Sequence, residues 1–175
     1  MDYVEGGIWT LPRLQAPEGL RTLGARLQRL HAITPPKGGA FDPVSIATGQ
    51  AQAIFERDPA AAAEVNALLA RTRQLAADCA AFAVTPVMNH GDLNASNLIG
   101  PVPMLVDWEY AQLADPVYDL ACLSVYYPGL LLRGEELLAT AGITDANGAV
   151  RLRLHAQLFD SLNRLWEQAE ALRQA

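Results

Sequence analysis

Lysine is almost missing from this sequence: Lys37 stands alone among 13 basic residues, and the rest are arginine. Cations are scarce as a whole, since 19 acids outnumber them and leave a formal net charge of −6. A chain this acidic has no basic footprint for a nucleic-acid backbone, which excludes nucleic acid as the main partner. Cysteine is limited to Cys79 and Cys122, far apart in segments that read as helix. That is too few for a disulfide scaffold and suits two reduced core thiols in a cytosolic protein. No window approaches the roughly 18 consecutive apolar residues of a membrane span. The first ten residues, MDYVEGGIWT, carry acids where a secretory signal has a basic stretch. The expectation is a cytoplasmic protein that does not engage a membrane. Internal repeats and low-complexity linkers are also lacking. What is present is 51% apolar and 18% charged residues over 175 positions, enough for a packed core and the length of one domain.

Residues 3–7 read as the end of an extended segment running into a glycine break. A helix is expected over 17–32, with Pro17 at its first position and Leu20, Leu23, Leu27 and Leu30 at helical spacing. The loop 35–39, which contains Lys37, ends it. Two more helices are expected at 43–57 and 59–83, the second alanine-rich with Leu68, Leu69 and Leu75 on one side. The texture then changes. Short apolar runs at 86–88, 97–99 and 104–106 read as strands, the last two joined as a hairpin by residues 100–103. Asp115-Pro116 reads as an N-cap and first-position proline opening a helix to Tyr127, followed by helices over 130–141 and 146–173. Helices flanking a very small sheet make an α+β fold.

The chemistry-bearing residues lie between 88 and 119. The run His90-Gly91-Asp92-Leu93-Asn94-Ala95-Ser96-Asn97 places an acid and an amide five positions apart in a loop between strands. Val106-Asp107-Trp108-Glu109 ends a strand with two carboxylates at i and i+2, which point the same way if the strand is regular. An Asp, an Asn and a second Asp converging at strand ends would form an all-oxygen set that suits Mg²⁺ completed by water and phosphate oxygens. Asp92 is then available to take a proton from an attacking hydroxyl. Each acid, taken singly, is also an ordinary turn residue.

HGDLNASNLI followed by LVDWEYAQLADPVYDLA resembles the catalytic segment of the aminoglycoside phosphotransferase and choline/ethanolamine kinase superfamily. The family pattern is H-G-D-x-x-x-x-N, then an apolar residue with D-x-E/D, then D-P-x-x-D-L-A. All three parts occur here in order. The resemblance runs from the glycine break through Leu27–His31 to the last helix. It implies the mostly helical C-terminal lobe of a protein-kinase-like fold, with a small β-hairpin carrying the catalytic loop, as one domain over 1–175 whose residues 1–10 are the hinge. It implies ATP as phosphoryl donor and Mg²⁺ as cofactor, with Asp92 as catalytic base and Asn97 and Asp107 as metal ligands. Glu109 is a weaker candidate for a second metal or the acceptor, and His90 is expected to brace the loop. Asp119 either accepts backbone N–H groups of that loop or is a favourable charge at a helix start.

Only eight residues separate Asp107 from Pro116, without D-F-G or A-P-E, so a small-molecule alcohol fits better than a peptide acceptor. The phosphate-covering loop, strand lysine and helix glutamate of the N-terminal lobe have no counterpart in these 175 residues, and Lys37 falls in the wrong place to replace the lysine. The expectation is a truncated phosphotransferase that is weak or inactive alone. Asp160 and Trp166 are candidate acceptor-binding residues, with Tyr110 and Tyr126 as further π faces for a cationic amino alcohol. Trp166 also sits at core spacing with Leu158, Leu162 and Leu165. Choline, ethanolamine, aminoglycoside, thiamine-like and sugar acceptors all stay open. The alternative is a non-catalytic binding module, for instance a homodimer covering apolar surface around the hinge and sheet. A metal-dependent hydrolase ranks third.

Overall fold

A computed structural model of the chain describes residues 6–34 and 40–174. The start of the expected hinge and the loop holding Lys37 lie outside the described residues. The chain divides into two compact units, Met1–Phe41 with Val84–Arg153, and Asp42–Ala83 with Leu154–Ala175.

In the first unit the leucines at helical spacing do form a helix, α2 (Pro17–His31), with Leu20, Leu23, Leu27 and Leu30 buried. A short helix not anticipated from the sequence, α1 (Leu11–Gln15), precedes it and buries Leu14. Gly24 lets α2 approach α7 (Gly134–Thr140) closely, for a Cβ there would lie 2.3 Å from the Thr140 carbonyl oxygen. Four strands form two antiparallel pairs. β1 (Val87–Asn89) pairs with β4 (Gln112–Ala114), Val87 opposite Ala114, and β2 (Leu98–Ile99) pairs with β3 (Met104–Leu105), Leu98 opposite Leu105. Residues 7–9 run beside β2: Gly7 O accepts from Gly100 N, Trp9 N donates to Leu98 O, and the Trp9 indole donates to Gly100 O at 2.9 Å.

Asp115 does not cap the next helix. Its carboxylate accepts from Val117 N at 2.9 Å in a local turn, and α5 begins later, at Tyr118–Tyr126. The helix expected over 130–141 is two, α6 (Pro128–Leu131) and α7, broken where the Arg133 guanidinium donates to Gln15 O at 2.6 Å. Buried Arg151 is ion-paired with Asp115 and Asp145.

The second unit is helical. In α3 (Pro43–Phe55) the Asp42 side chain caps Ser45 N at 3.0 Å, and Ala47, Ala51 and Ile54 are buried. A 3-10 turn leads into α4 (Ala62–Ala80), whose Val65, Leu68, Leu69 and Leu75 are buried. The last helix, α8 (Gly148–Gln174), enters this unit at Leu154 and buries Leu158, Phe159, Leu162 and Leu165. Polar contacts cross this core at Ser161, whose hydroxyl lies 2.8 Å from that of Thr72 and donates to Leu68 O at 3.5 Å. Both cysteines are thiols, Cys122 buried and Cys79 half-buried. Among the described residues no helix is long and apolar enough to cross a membrane.

Candidate active site

The loop between β1 and β2 carries the H-G-D-x-x-x-x-N residues, and it is held from three directions. From below, the buried Asp119 carboxylate in the first turn of α5 accepts two consecutive backbone N–H groups, His90 at 2.9 Å and Gly91 at 3.0 Å. Of the two readings of Asp119 from the sequence, the acceptance of backbone N–H groups describes this contact. Burial pushes its carboxyl above the ordinary range, while the two N–H bonds and the nearby His90 act the other way. Asn89, fully buried, joins the same latch: its amide oxygen accepts from Asp119 N at 3.3 Å, and its amide nitrogen donates to Val87 O and Ala114 O. Asn89 was not recognised from the sequence, although an amide ending an apolar run directly before His-Gly-Asp was the available signal.

From the side, His90 Nε2 lies 2.7 Å from Val106 O, and Asp92 N donates to His90 Nδ1 at 3.4 Å. The imidazole thus carries its proton on Nε2 and tethers the chain that leaves β3. Gly91 has φ +86°, and a Cβ there would lie 2.0 Å from the Tyr110 carbonyl oxygen, so no other residue fits.

From above, the side chains fix the acid itself. Asn97 Nδ2 donates to Asp92 O at 2.9 Å and to Asp92 Oδ2 at 3.3 Å, and Asn94 Nδ2 reaches Oδ2 at 3.4 Å. The Tyr126 hydroxyl donates to Asp92 Oδ1 at 2.6 Å, and Ala95 N donates to the neighbouring Tyr127 hydroxyl at 3.0 Å. These tyrosine contacts at the end of α5 are not legible in the sequence, which offers Tyr126 only as an aromatic face. Burial pushes the Cys122 thiol beneath the loop well above its usual range.

Asp107 follows Val106, whose N–H donates to Asn97 O at 3.1 Å, so the second acid motif is tied to the loop through its backbone. The strand alternation expected for Asp107 and Glu109 does not hold. β3 ends at Leu105, and Asp107 has φ +66°, the left-handed region that a non-glycine residue adopts only at a cost. Asp107 and Glu109 are exposed, and Glu109 makes no hydrogen bond or ion pair with the cluster among the described residues. Asp160 and Trp166 lie on α8 in the second unit. Both are exposed, so Trp166 does not join Leu158, Leu162 and Leu165 in the core.

The donor set fits a hard divalent cation. Asn97 uses its amide nitrogen on Asp92, which leaves the amide oxygen for a ligand, and Asp107 presents an exposed carboxylate with no ion-pair partner among the described residues. No group of three or more His, Cys, Asp or Glu suited to a metal occurs among those residues. Two oxygen ligands from the protein, with water and phosphate oxygens for the rest, is how Mg²⁺ is usually held beside a nucleotide.

The α+β arrangement, a catalytic-type loop between short strands and flanking helices, is that of a kinase-like fold. A choline/ethanolamine kinase family protein from Mesorhizobium loti matches with a TM-score of 0.80 and 20% identity, covering 100% of this chain and 62% of the other. Choline kinase LicA from Streptococcus pneumoniae matches at 0.77 and 21%, covering 99% and 62%. An aminoglycoside phosphotransferase from Streptomyces rimosus matches at 0.61 and 26%, covering 91% and 67%. The model of the phosphotransferase enzyme family matches residues 1–152, and the chain belongs to that family. No curated protein sequence matches it. The chain spans about three-fifths of the length of the first two structures.

Proposed function

We propose that this chain is the catalytic lobe, a single functional domain, of a cytoplasmic phosphotransferase that moves the γ-phosphoryl group of ATP to the hydroxyl of a small cationic alcohol. The acceptor proton passes to Asp92, the acceptor oxygen bonds to phosphorus, and the bond to the bridging oxygen breaks to release ADP. Asn97 and Asp107 would hold Mg²⁺, which supplies charge neutralisation at the phosphate oxygens. His90 and Asp119 keep the loop in register. Glu109 is assigned to the acceptor or a second metal. The observation that carries this reading is the Asp92 carboxylate, oriented on both oxygens by Asn97 and Tyr126, on a loop tied to Asp107, which has no ion-pair partner among the described residues. Choline kinase and aminoglycoside phosphotransferase structures among the similar folds support an amino alcohol or aminoglycoside acceptor, and a LicA structure in complex with AMP supports a nucleotide donor.

The test is thermal unfolding of the chain with Mg²⁺ and ATP. Wild type should gain about 3 kcal/mol at ~100-fold excess over Kd. Asp107→Asn, which tolerates the same backbone conformation, should gain almost nothing, and Asp92→Asn should gain as wild type does. Equal gains in wild type and Asp107→Asn, or no gain in either, would overturn the reading. The non-catalytic alternative, self-association, has one observation in its favour, the exposed apolar side chains of Ile8, Val102 and Met104 beside the β2–β3 hairpin.

A further inference from the structure

We infer that Trp108 is a positioning residue for Asp107: its indole closes the turn that holds Asp107 in the left-handed backbone region, and so fixes the direction of a carboxylate meant for a divalent cation. The inference rests on the reading of Asp107 as a metal ligand and adds the side chain that holds it in place.

Asp107 is exposed, and its carboxylate makes no hydrogen bond or ion pair among the described residues. Where that carboxylate points is therefore decided by the backbone, which stands at φ +66°. A residue with a Cβ leaves that region unless its neighbours are held, because the Cβ crowds the following carbonyl there. Both neighbours are held. Before Asp107, Val106 N donates to Asn97 O at 3.1 Å, and Val106 O lies 2.7 Å from His90 Nε2. After it, the Trp108 indole N–H donates to Leu105 O at 2.9 Å. That bond reaches back over Asp107 and ties the residue after it to the end of β3, so it closes the turn by which the chain leaves that strand.

A second contact seats the indole. Its ring lies 4.9 Å from the His90 imidazole, tilted by 52°, and His90 is fully buried. One histidine thus bonds the residue before Asp107 and packs against the residue after it, which joins the turn to the His90-Gly91-Asp92 loop. Ala111 N donates to Trp108 O at 3.1 Å, so the backbone beyond the turn is fixed as well. Without the indole bond, Asp107 can relax out of the left-handed region, and its carboxylate loses its fixed direction. Trp108 itself is 43% exposed, so substituting it removes the bond with little loss of core packing.

The experiment uses Mn²⁺, which takes the same oxygen ligands as Mg²⁺. Its binding to the chain with ADP present is read from the loss of the free ion's electron paramagnetic resonance signal. Trp108→Phe keeps a ring against His90 but lacks the N–H, and should weaken Mn²⁺ binding about tenfold, a usual cost of losing a group that orients a ligand. Replacing Trp108 by benzothienylalanine, in which sulfur stands for the N–H at almost unchanged size, should do the same. Thermal unfolding without metal gives a second readout. Asp107→Gly relieves the left-handed backbone and should raise the Tm of wild type by about 2–4 °C, but that of the Trp108→Phe background by less than about 1 °C. An indole that served only as a packing surface for His90, or as an aromatic face for an acceptor, predicts otherwise. Unchanged Mn²⁺ affinity in both Trp108 variants, or equal Tm gains in both backgrounds, overturns the inference. Asp107→Asn reports separately on the reading beneath it. Loss of Mn²⁺ binding there, with wild-type affinity in Trp108→Phe, condemns the positioning role alone. Asp107→Asn binding as tightly as wild type, or no binding by either, condemns both.

Discussion

His31, at the end of α2, is half-buried and its Nε2 has no hydrogen-bond partner among the described residues. Burial lowers its pKa from the ordinary 6.5, and the nearby Asp115 charge opposes that only in part. The unfolded chain therefore binds a proton at this site before the folded one does, so stability rises with pH across the interval. The contribution is full above about pH 6.5 and is lost as pH falls through the lower folded value. Melting temperatures from about pH 8 to about pH 5 should fall more steeply for wild type than for His31→Gln, which removes the titration. Parallel curves would refute this. At the same scale, the residues of the loop were readable because Asp92, Asn97 and Asp107 are spaced by a motif, while Asn89, Tyr126 and Tyr127 were not. Their roles depend on which side of β1 and α5 meets the loop, and no local pattern in the sequence encodes that meeting. Asp107 shows the converse: its identity was readable, but its left-handed backbone was not, because only the chain's departure from β3 imposes it.

Among the elements, α2 was legible from the leucines whose burial it achieves, and α8 from its long run without a breaker. β4 was not, because Gln112-Leu113-Ala114 is three residues long and becomes a strand only through pairing with β1. The start of α5 was misplaced for a similar reason, since an aspartate before proline serves a turn as readily as a helix cap. The packing of α2 on α7 has one sensitive point. Gly24→Ala puts a methyl group against the Thr140 backbone, which has no rotamer through which to yield. Urea unfolding should show a loss of about 1–3 kcal/mol, whereas Gly49→Ala, with open space around it, should lose nothing and gain helix propensity.

For the whole molecule, sequence motifs and family membership agree on a phosphotransferase ancestry, and the two compact units each have their own core. The apolar side chains left exposed on the first unit, Ile8 at 58%, Val102 at 57% and Met104 at 46%, bear on its association state. If a second copy covers them, sedimentation velocity at about 100 μM, well above the ~1 μM dissociation constant of a moderate interface, should show a dimer that Met104→Glu returns to monomer. A wild-type monomer at that concentration would exclude self-pairing through this face. The net charge of −6 works against nucleotide binding at long range. Raising ionic strength should weaken that repulsion.

Helix α5 holds the loop at both ends, Asp119 in its first turn and Tyr126 in its last. The seven-residue interval between them is close to two full turns, about 10 Å of rise with almost no net rotation. The helix therefore acts as a ruler: it sets the distance between the loop's backbone latch and its acid, and it keeps both grips on one face. Losing or gaining one residue within 120–125 would turn Tyr126 by about 100° away from Asp92. The buried Leu120, Ala121, Cys122 and Leu123 constrain the interval in composition, and the two grips constrain it in length.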